Sequence, residues 1–181
     1  MTKLFSLTTI VLLSFSLFVG CTNADKSKPG TAEEPSSKLT PSEKQEIEKE
    51  ISNLGKSFFK HVEKLDIDSC MSYFENTSDF WSVNPDGTAG DYNSLKKING
   101  DGFSQMKSFS SKLNKESIRV LSKTQVLYTY FATQEFSLKT GEKMKMENVA
   151  GTMLLDKIGN SWKATFYQES SGQPVKVETK E

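Results

Sequence analysis

Apolar side chains recur every three or four residues at Ile47, Ile51, Leu54, Phe58, Val62 and Leu65, the spacing of one buried face of a helix. Just ahead of them, Thr40-Pro41-Ser42-Glu43 supplies a capping hydroxyl, a proline at the first helical position and a glutamate placed to close a capping box. A long opening helix is therefore predicted. Asp68 is expected to cap a second, short helix through Phe74, and "DFWSVNPDGTAGD" reads as a strand entering a Pro-Asp-Gly turn. A third helical segment is expected from near Asp91, with Leu95, Ile98, Phe103, Met106 and Phe109 as apolar points and Gly100 and Gly102 as interruptions.

From Ser117 onward the period becomes two. "SIRVLS", "QVLYTYFATQEFSL", "KMKMENVAGTMLLD" and "SWKATFYQES" read as strands joined by the short connections "KT", "KTGE" and "KIGN", which predicts an antiparallel meander. Helices first and sheet afterwards make an α+β domain, with the N-terminal helices on one face of a curved antiparallel sheet. Between residues 126 and 136, Val126, Tyr128, Tyr130 and Phe136 alternate with Leu127, Thr129 and Phe131, so both faces carry large groups. A sheet wetted on one side alternates more cleanly. A homodimer covering the second face is expected.

The two ends of the chain differ from this middle. Residues 1–20 carry Lys3 and the broken apolar run "LFSLTTIVLLSFSLFVG", too short to cross a bilayer core of about 30 Å comfortably, and read as a signal peptide. "LFVGC" resembles a bacterial lipobox, with Phe18 in place of the usual leucine, so Cys21 is expected to carry lipid and anchor the protein to a membrane of the cell envelope. Cleavage nearby without lipid is the alternative. Residues 21–39 are polar, rich in Pro, Ser and charge, and read as a tether; 40–173 form the folded domain and 174–181 a polar tail.

With 23 basic and 23 acidic residues the net charge is zero, and no basic block stands out in the folded segment, which argues against a nucleic-acid partner. If Cys21 is acylated, Cys70 has no intramolecular partner. Flanked by Ile67, Met71 and Phe74, it reads as a small buried apolar residue rather than a reactive thiol.

The long first helix, "DSCMSYF", the "PDGTAG" turn with Pro85, Asp86, Gly87 and Gly90, and the closing "GNSWKATFYQESS" together resemble the SnoaL-like branch of the nuclear transport factor two superfamily, over about residues 43 to 171. The resemblance implies a cone-shaped α+β fold whose sheet and helices enclose a pocket. Relatives include isomerases, cyclases, dehydratases and proteins that only bind or dimerise. Many carry a histidine six residues after the last-strand tryptophan and a serine two further on; Trp162 and Ser170 fit, but Gln168 stands at the histidine position.

Strict alternation puts Trp162, Ala164, Phe166, Gln168 and Ser170 on one face of the last strand, and Lys163, Thr165, Tyr167 and Glu169 on the other. On the strand before, Met144, Met146, Asn148, Ala150, Thr152 and Leu154 share a face. Taken as the lining of one concavity, these residues predict an apolar pocket with neutral polar groups, contacting a small ligand through Trp81, Tyr130, Asn148, Ala150, Thr152, Phe166, Gln168 and Ser170.

Acid–base chemistry needs a titratable group in that pocket. His61, the only histidine, borders the apolar stripe of the first helix and reads as structural; with no paired cysteines, no metal site is expected. Some enzymes of the superfamily use an aspartate base with a tyrosine or a second acid, which makes Asp79, Glu135, Glu147 and Glu169 the candidate acids and Tyr128, Tyr130 and Tyr167 the candidate donors. Alternation places Glu147 and Glu169 away from the inferred inner face, and Asp79 and Glu135 fall near strand ends. No phosphate loop, nucleophile elbow or dinucleotide fingerprint is present, so no cofactor is expected. The leading expectation is an envelope lipoprotein that binds a small, largely apolar molecule without catalysis. The alternatives are a cofactor-free isomerase or hydro-lyase of the SnoaL kind, or a dimerising interaction module. An acid inside an open cavity would favour the enzyme.

Overall fold

The opening helix, α1 (Pro41–Glu63), begins on the capping box that its sequence spells. The Glu43 amide donates to Thr40 Oγ1 at 3.2 Å and the Thr40 amide to Glu43 Oε2 at 2.8 Å, so two otherwise orphaned donors are satisfied reciprocally. Ile47, Ile51, Phe58 and Phe59 are buried along one face. Each is worth about 1.5–3 kcal/mol relative to exposure, far more than the cap. The computed structural model describes residues 39–177. The apolar N-terminal run, Cys21, almost all of the tether and the last four residues of the tail lie outside the described residues.

The short helix α2 (Ile67–Met71) is capped by Asp66, whose carboxylate accepts from the Ser69 amide at 3.1 Å, rather than by the expected Asp68. Leu65, at φ 56°, turns the chain so that Asp66 falls in the capping position. Strands β1 (Trp81–Val83) and β2 (Ala89–Gly90) form a hairpin around the Pro-Asp-Gly turn, with Gly87 at φ 83°. Helix α3 (Tyr92–Gln105), capped by Asp91, runs unbroken through Gly100 and Gly102. Each glycine costs about 1 kcal/mol against alanine. Packing outweighs that cost: Leu95 is buried, Phe103 packs against the core, and a Cβ at Gly100 would lie 3.8 Å from Ile67.

Met106 and Phe109, expected on that helix, belong instead to β3 (Met106–Ser122), which starts eleven residues before the predicted strand. The sequence "MKSFSSKLNKE" hides a strand because its outward positions Ser110, Lys112 and Asn114 are polar while Phe109 and Leu113 turn inward. Strands β4 (Gln125–Leu138) and β6 (Ser161–Ser170) have the bounds read from the sequence, and β5 (Lys143–Ile158) runs two residues further, into the expected connection. The segment read as tail contributes β7 (Val175–Lys176), paired with Lys145 and Met144 of β5.

The sheet order is β2-β1-β6-β5-β4-β3, with β7 also on β5. Every pairing is antiparallel except β1 with β6, so the curved sheet is mixed and stays open. The helices cover one face, where Ile51, Phe58 and Phe59 join Val126, Tyr128, Tyr130, Met153, Leu155 and Ala164 in a single core, as the α+β reading requires.

Two bulges decide which residues face that core. Between the rungs Ala132–Val149 and Gln134–Met146, β5 spends three residues where β4 spends two. Asn148, at φ 59°, sits in the excess. Between Leu154–Phe166 and Leu155–Ala164, β6 spends two where β5 spends one, with Thr165 as the extra residue. Each bulge inverts the alternation beyond it.

Candidate functional site

Under α1 and α3 lies a cavity of about 170 Å³, walled by Phe58, Phe59, Val62, Phe74, Phe103 and Phe109 and floored by Tyr130, Gln134, Met146, Tyr167 and Glu169. It is close to the size of an apolar cavity of about 150 Å³ that holds benzene. The site is organised by one rung of the sheet, Tyr130–Gly151–Glu169, across β4, β5 and β6. A Cβ on Gly151 would lie 2.2 to 2.4 Å from the Tyr130 ring and hydroxyl, so glycine alone lets the ring lie flat across β5. The tyrosine thereby reaches a strand that is not its neighbour.

Tyr130 donates to Glu169 Oε2 at 2.9 Å and Tyr167 donates to the same oxygen at 2.6 Å, while the two hydroxyls stand 3.0 Å apart. Among the described residues nothing hydrogen-bonds Glu169 Oε1. Both phenols are held well above their usual pKa, first by burial and then by the adjacent Glu169 charge, so both remain donors through the neutral range. Phe59 meets Tyr130 edge-on at 4.9 Å and Phe74 meets Tyr167 at 5.4 Å, fixing the two rings. The arrangement can present a carboxylate oxygen, backed by two donors, to a small apolar molecule.

The sequence profile of the SnoaL-like domain matches residues 51–175, well over half of the chain. The chain belongs to the SnoaL-like domain family. Solved structures of low identity share the fold of this SnoaL-like domain. The hexachlorocyclohexane dehydrochlorinase LinA type 3 of Novosphingobium barchaimii superposes with a TM-score of 0.63 and 11% identity, covering 76% of this chain and 94% of that one. A candidate scytalone dehydratase of Novosphingobium aromaticivorans gives 0.66 and 10%, covering 77% and 93%. A nuclear transport factor 2-like superfamily protein of Salmonella enterica gives 0.60 and 15%, covering 75% and 94%. No curated protein matches the sequence significantly.

Of the eight residues expected to contact a ligand, Tyr130 alone lines the cavity of the SnoaL-like domain. Ala150, Thr152, Phe166, Gln168 and Ser170 do share a face, as the rungs Ala150–Ser170 and Thr152–Gln168 confirm, but it is the face away from the helices. Strict alternation holds for Met144 and Met146 and for Trp162 and Ala164, and fails beyond each bulge. Trp81, paired with Phe166 and 56% exposed, lies on that outer face too. Asn148 is exposed at the β5 bulge.

The same inversion brings Glu169 and Tyr167 inward, correcting the expectation of an inner face without an acid. Glu147 is exposed and paired with Lys145 at 2.7 Å, and Asp79 and Glu135 are exposed. His61 Nδ1 stands 3.1 Å from the Tyr73 hydroxyl, outside the cavity lining. Cys70 lines the cavity, but burial pushes its thiol up to about 12, so it stays protonated and unreactive. Among the described residues no cluster of three His, Cys, Asp or Glu side chains is placed to hold a metal ion. The sequence did carry one pointer to the site: Gly151 in the interior of an apolar strand marks a close approach.

Proposed function

We propose that this SnoaL-like domain takes a small, largely apolar molecule into its cavity and transfers a proton on it through Glu169 without a cofactor, as an isomerase or hydro-lyase does. One observation carries the reading: Glu169 enters the cavity with Oε2 held by two tyrosine hydroxyls and Oε1 unengaged among the described residues. Oε1 accepts a proton from a C–H bond of the bound molecule. The electron pair left behind either forms an enolate with an adjoining carbonyl or expels a leaving group from the neighbouring carbon. As Glu169 takes up the proton it loses its charge and its hold on the phenols, and a tyrosine hydroxyl then turns to the developing oxyanion. The names of two structural neighbours, a dehydrochlorinase and a candidate dehydratase, describe eliminations of this balance.

The test is exchange of α-hydrogens for deuterium in small cyclic ketones, read by NMR. Wild-type domain is expected to accelerate it and Glu169→Gln to lose at least about a hundredfold with the fold intact. Equal exchange in the two proteins overturns the reading and returns the domain to binding alone.

Two further proposals concern where the domain sits. Cys21 carries lipid and holds it at a membrane of the cell envelope; Cys21→Ser then releases it to soluble fractions, and an unmodified mature terminus elsewhere refutes the anchor. A second copy covers the outer sheet face, supported by Trp81 at 56% and Phe131 at 40% exposure on that face. Sedimentation of residues 39–177 tests this, and a monomer at high micromolar concentration overturns it.

A further inference from the structure

Beyond Glu169, the cavity lining holds two neutral carboxamides, Asn99 on α3 and Gln134 on β4. Gln134 lies on the inner face of β4, is only 6% exposed and lines the cavity, and among the described residues no side-chain hydrogen bond engages its carboxamide, which is left facing the open space. Opposite it on β3, the Ser111 hydroxyl oxygen is fully buried and unpaired, the one such side-chain atom among the described residues. More than nine in ten buried polar groups in folded proteins are paired. On its other side, Met146 of β5 offers Gln134 only sulfur and carbon. Its carboxamide can donate and accept at once.

The lining contains no Lys, Arg or His, and Glu169 is its one carboxylate. An anionic ligand would meet that carboxylate with no compensating cation, at the cost of a buried like-charge pair. Gln134 and Tyr130 lie four residues apart on the same face of β4, about 13 Å along the strand, with only the small Ala132 between them on that face.

Building on the reading of this cavity as a small-molecule site, we infer that Gln134 is a second polar anchor and that the ligand is a neutral, ring-sized molecule with an oxygen function at each end. One end meets Glu169 and the tyrosines; the other, a hydroxyl or carbonyl, meets the Gln134 carboxamide. Gln134 determines specificity and touches no reacting atom.

The probes are 4-hydroxybenzyl alcohol, 4-methylphenol, which lacks its second oxygen, and 4-hydroxybenzoate, which replaces that oxygen by a charge. Binding is followed by NMR titration of the wild-type protein and of Gln134→Met, with Gln134→Leu as a second variant and circular dichroism to confirm folding. Wild type is expected to prefer the alcohol to 4-methylphenol roughly tenfold, and either Gln134 variant to lose or reverse that preference. 4-Hydroxybenzoate is expected to bind at least tenfold more weakly than the alcohol. An unchanged preference in the folded variants overturns the role of Gln134, and equal binding of the benzoate overturns the neutral class. If 4-methylphenol binds and Glu169→Gln weakens it while no preference exists, the cavity reading stands and the second anchor falls. If none of the three binds, both fall.

Discussion

Two residues apart on β4, Tyr128 and Tyr130 are built alike and used differently. Tyr128 points at Gly55 of α1, where a Cβ would lie 2.3 Å from its hydroxyl, and donates to Glu116 Oε2 at 3.3 Å. Tyr130 crosses Gly151 and donates to Glu169 Oε2. Each set joins a tyrosine, a glycine and a glutamate. The difference lies in what remains. Ser52 donates to Glu116 Oε1 at 2.7 Å, so both oxygens of that carboxylate are engaged, and neither Tyr128 nor Glu116 lines the cavity. In the other set two tyrosines share one oxygen of Glu169 and leave its second to the cavity. A half-buried carboxylate beside a tyrosine is therefore not by itself a mark of a site; what distinguishes Glu169 is a spare oxygen and a cavity that reaches it.

The largest effects are expected at the two glycines. Gly151→Ala drives a methyl group to 2.2–2.4 Å from three atoms of the Tyr130 ring and hydroxyl, and is expected to cost about 3 kcal/mol and abolish ligand binding. Gly55→Ala meets the same three atoms of Tyr128 less closely, at 2.3 to 3.3 Å, and alanine returns up to about 1 kcal/mol of helix propensity, so a net loss of about 1–2 kcal/mol is expected with binding retained. Urea unfolding with NMR titration of 4-methylphenol separates the two. Equal losses, or binding retained in Gly151→Ala, would break the distinction between a packed set and a working one.

The glutamates sharpen it. Glu169→Gln is expected to remove proton transfer while changing stability by less than about 1 kcal/mol, because the amide oxygen still accepts from one tyrosine. Glu116→Gln is expected to reverse that pattern, costing about 1 kcal/mol through weakened bonds to Ser52 and Tyr128 and leaving exchange untouched. Deuterium exchange and unfolding midpoints on both variants decide. Loss of exchange in Glu116→Gln would mean that the two sets are coupled through β4.

What the sequence made legible follows the same division. The helix face of α1, its capping box and the bounds of β4 are local properties, written in periods of 3.6 and 2 and in a four-residue cap. β4 has no bulge of its own, and Tyr130 faces the core as unbroken alternation requires. The inward faces of β5 and β6 are not legible from strict alternation, because one extra residue in each strand inverts every side chain beyond it. The bulge at Asn148 has a trace in the chain, an asparagine that tolerates positive φ within a strand. The one at Thr165 has none: its hydroxyl is held by Asp156 of the neighbouring strand at 2.6 Å, a contact that exists only once the sheet has formed. Glu169 was thus read as outward, and the inner face as lacking an acid, for want of one unpaired threonine.

The last expected effect is a pH dependence that counts the tyrosines in each set. Burial, and after it a neighbouring glutamate charge, raises the pKa of Tyr128, Tyr130 and Tyr167 above the usual value near 10. A phenol whose folded pKa is raised holds its proton more tightly in the folded state. Its contribution is fully present below pH 10 and is lost as the unfolded chain begins to ionise above it. Stability should be flat from about pH 7 to 9 and then decline, by at most about 1.4 kcal/mol per pH unit for each tyrosine involved. Urea midpoints between pH 8 and 11 measure that slope. Two of the three phenols belong to the cavity set, so Tyr130→Phe combined with Tyr167→Phe should flatten the decline about twice as much as Tyr128→Phe. The same slope in all these proteins would show that the phenols ionise alike in the folded and unfolded chain, and the electrostatic account of both sets would fail with it.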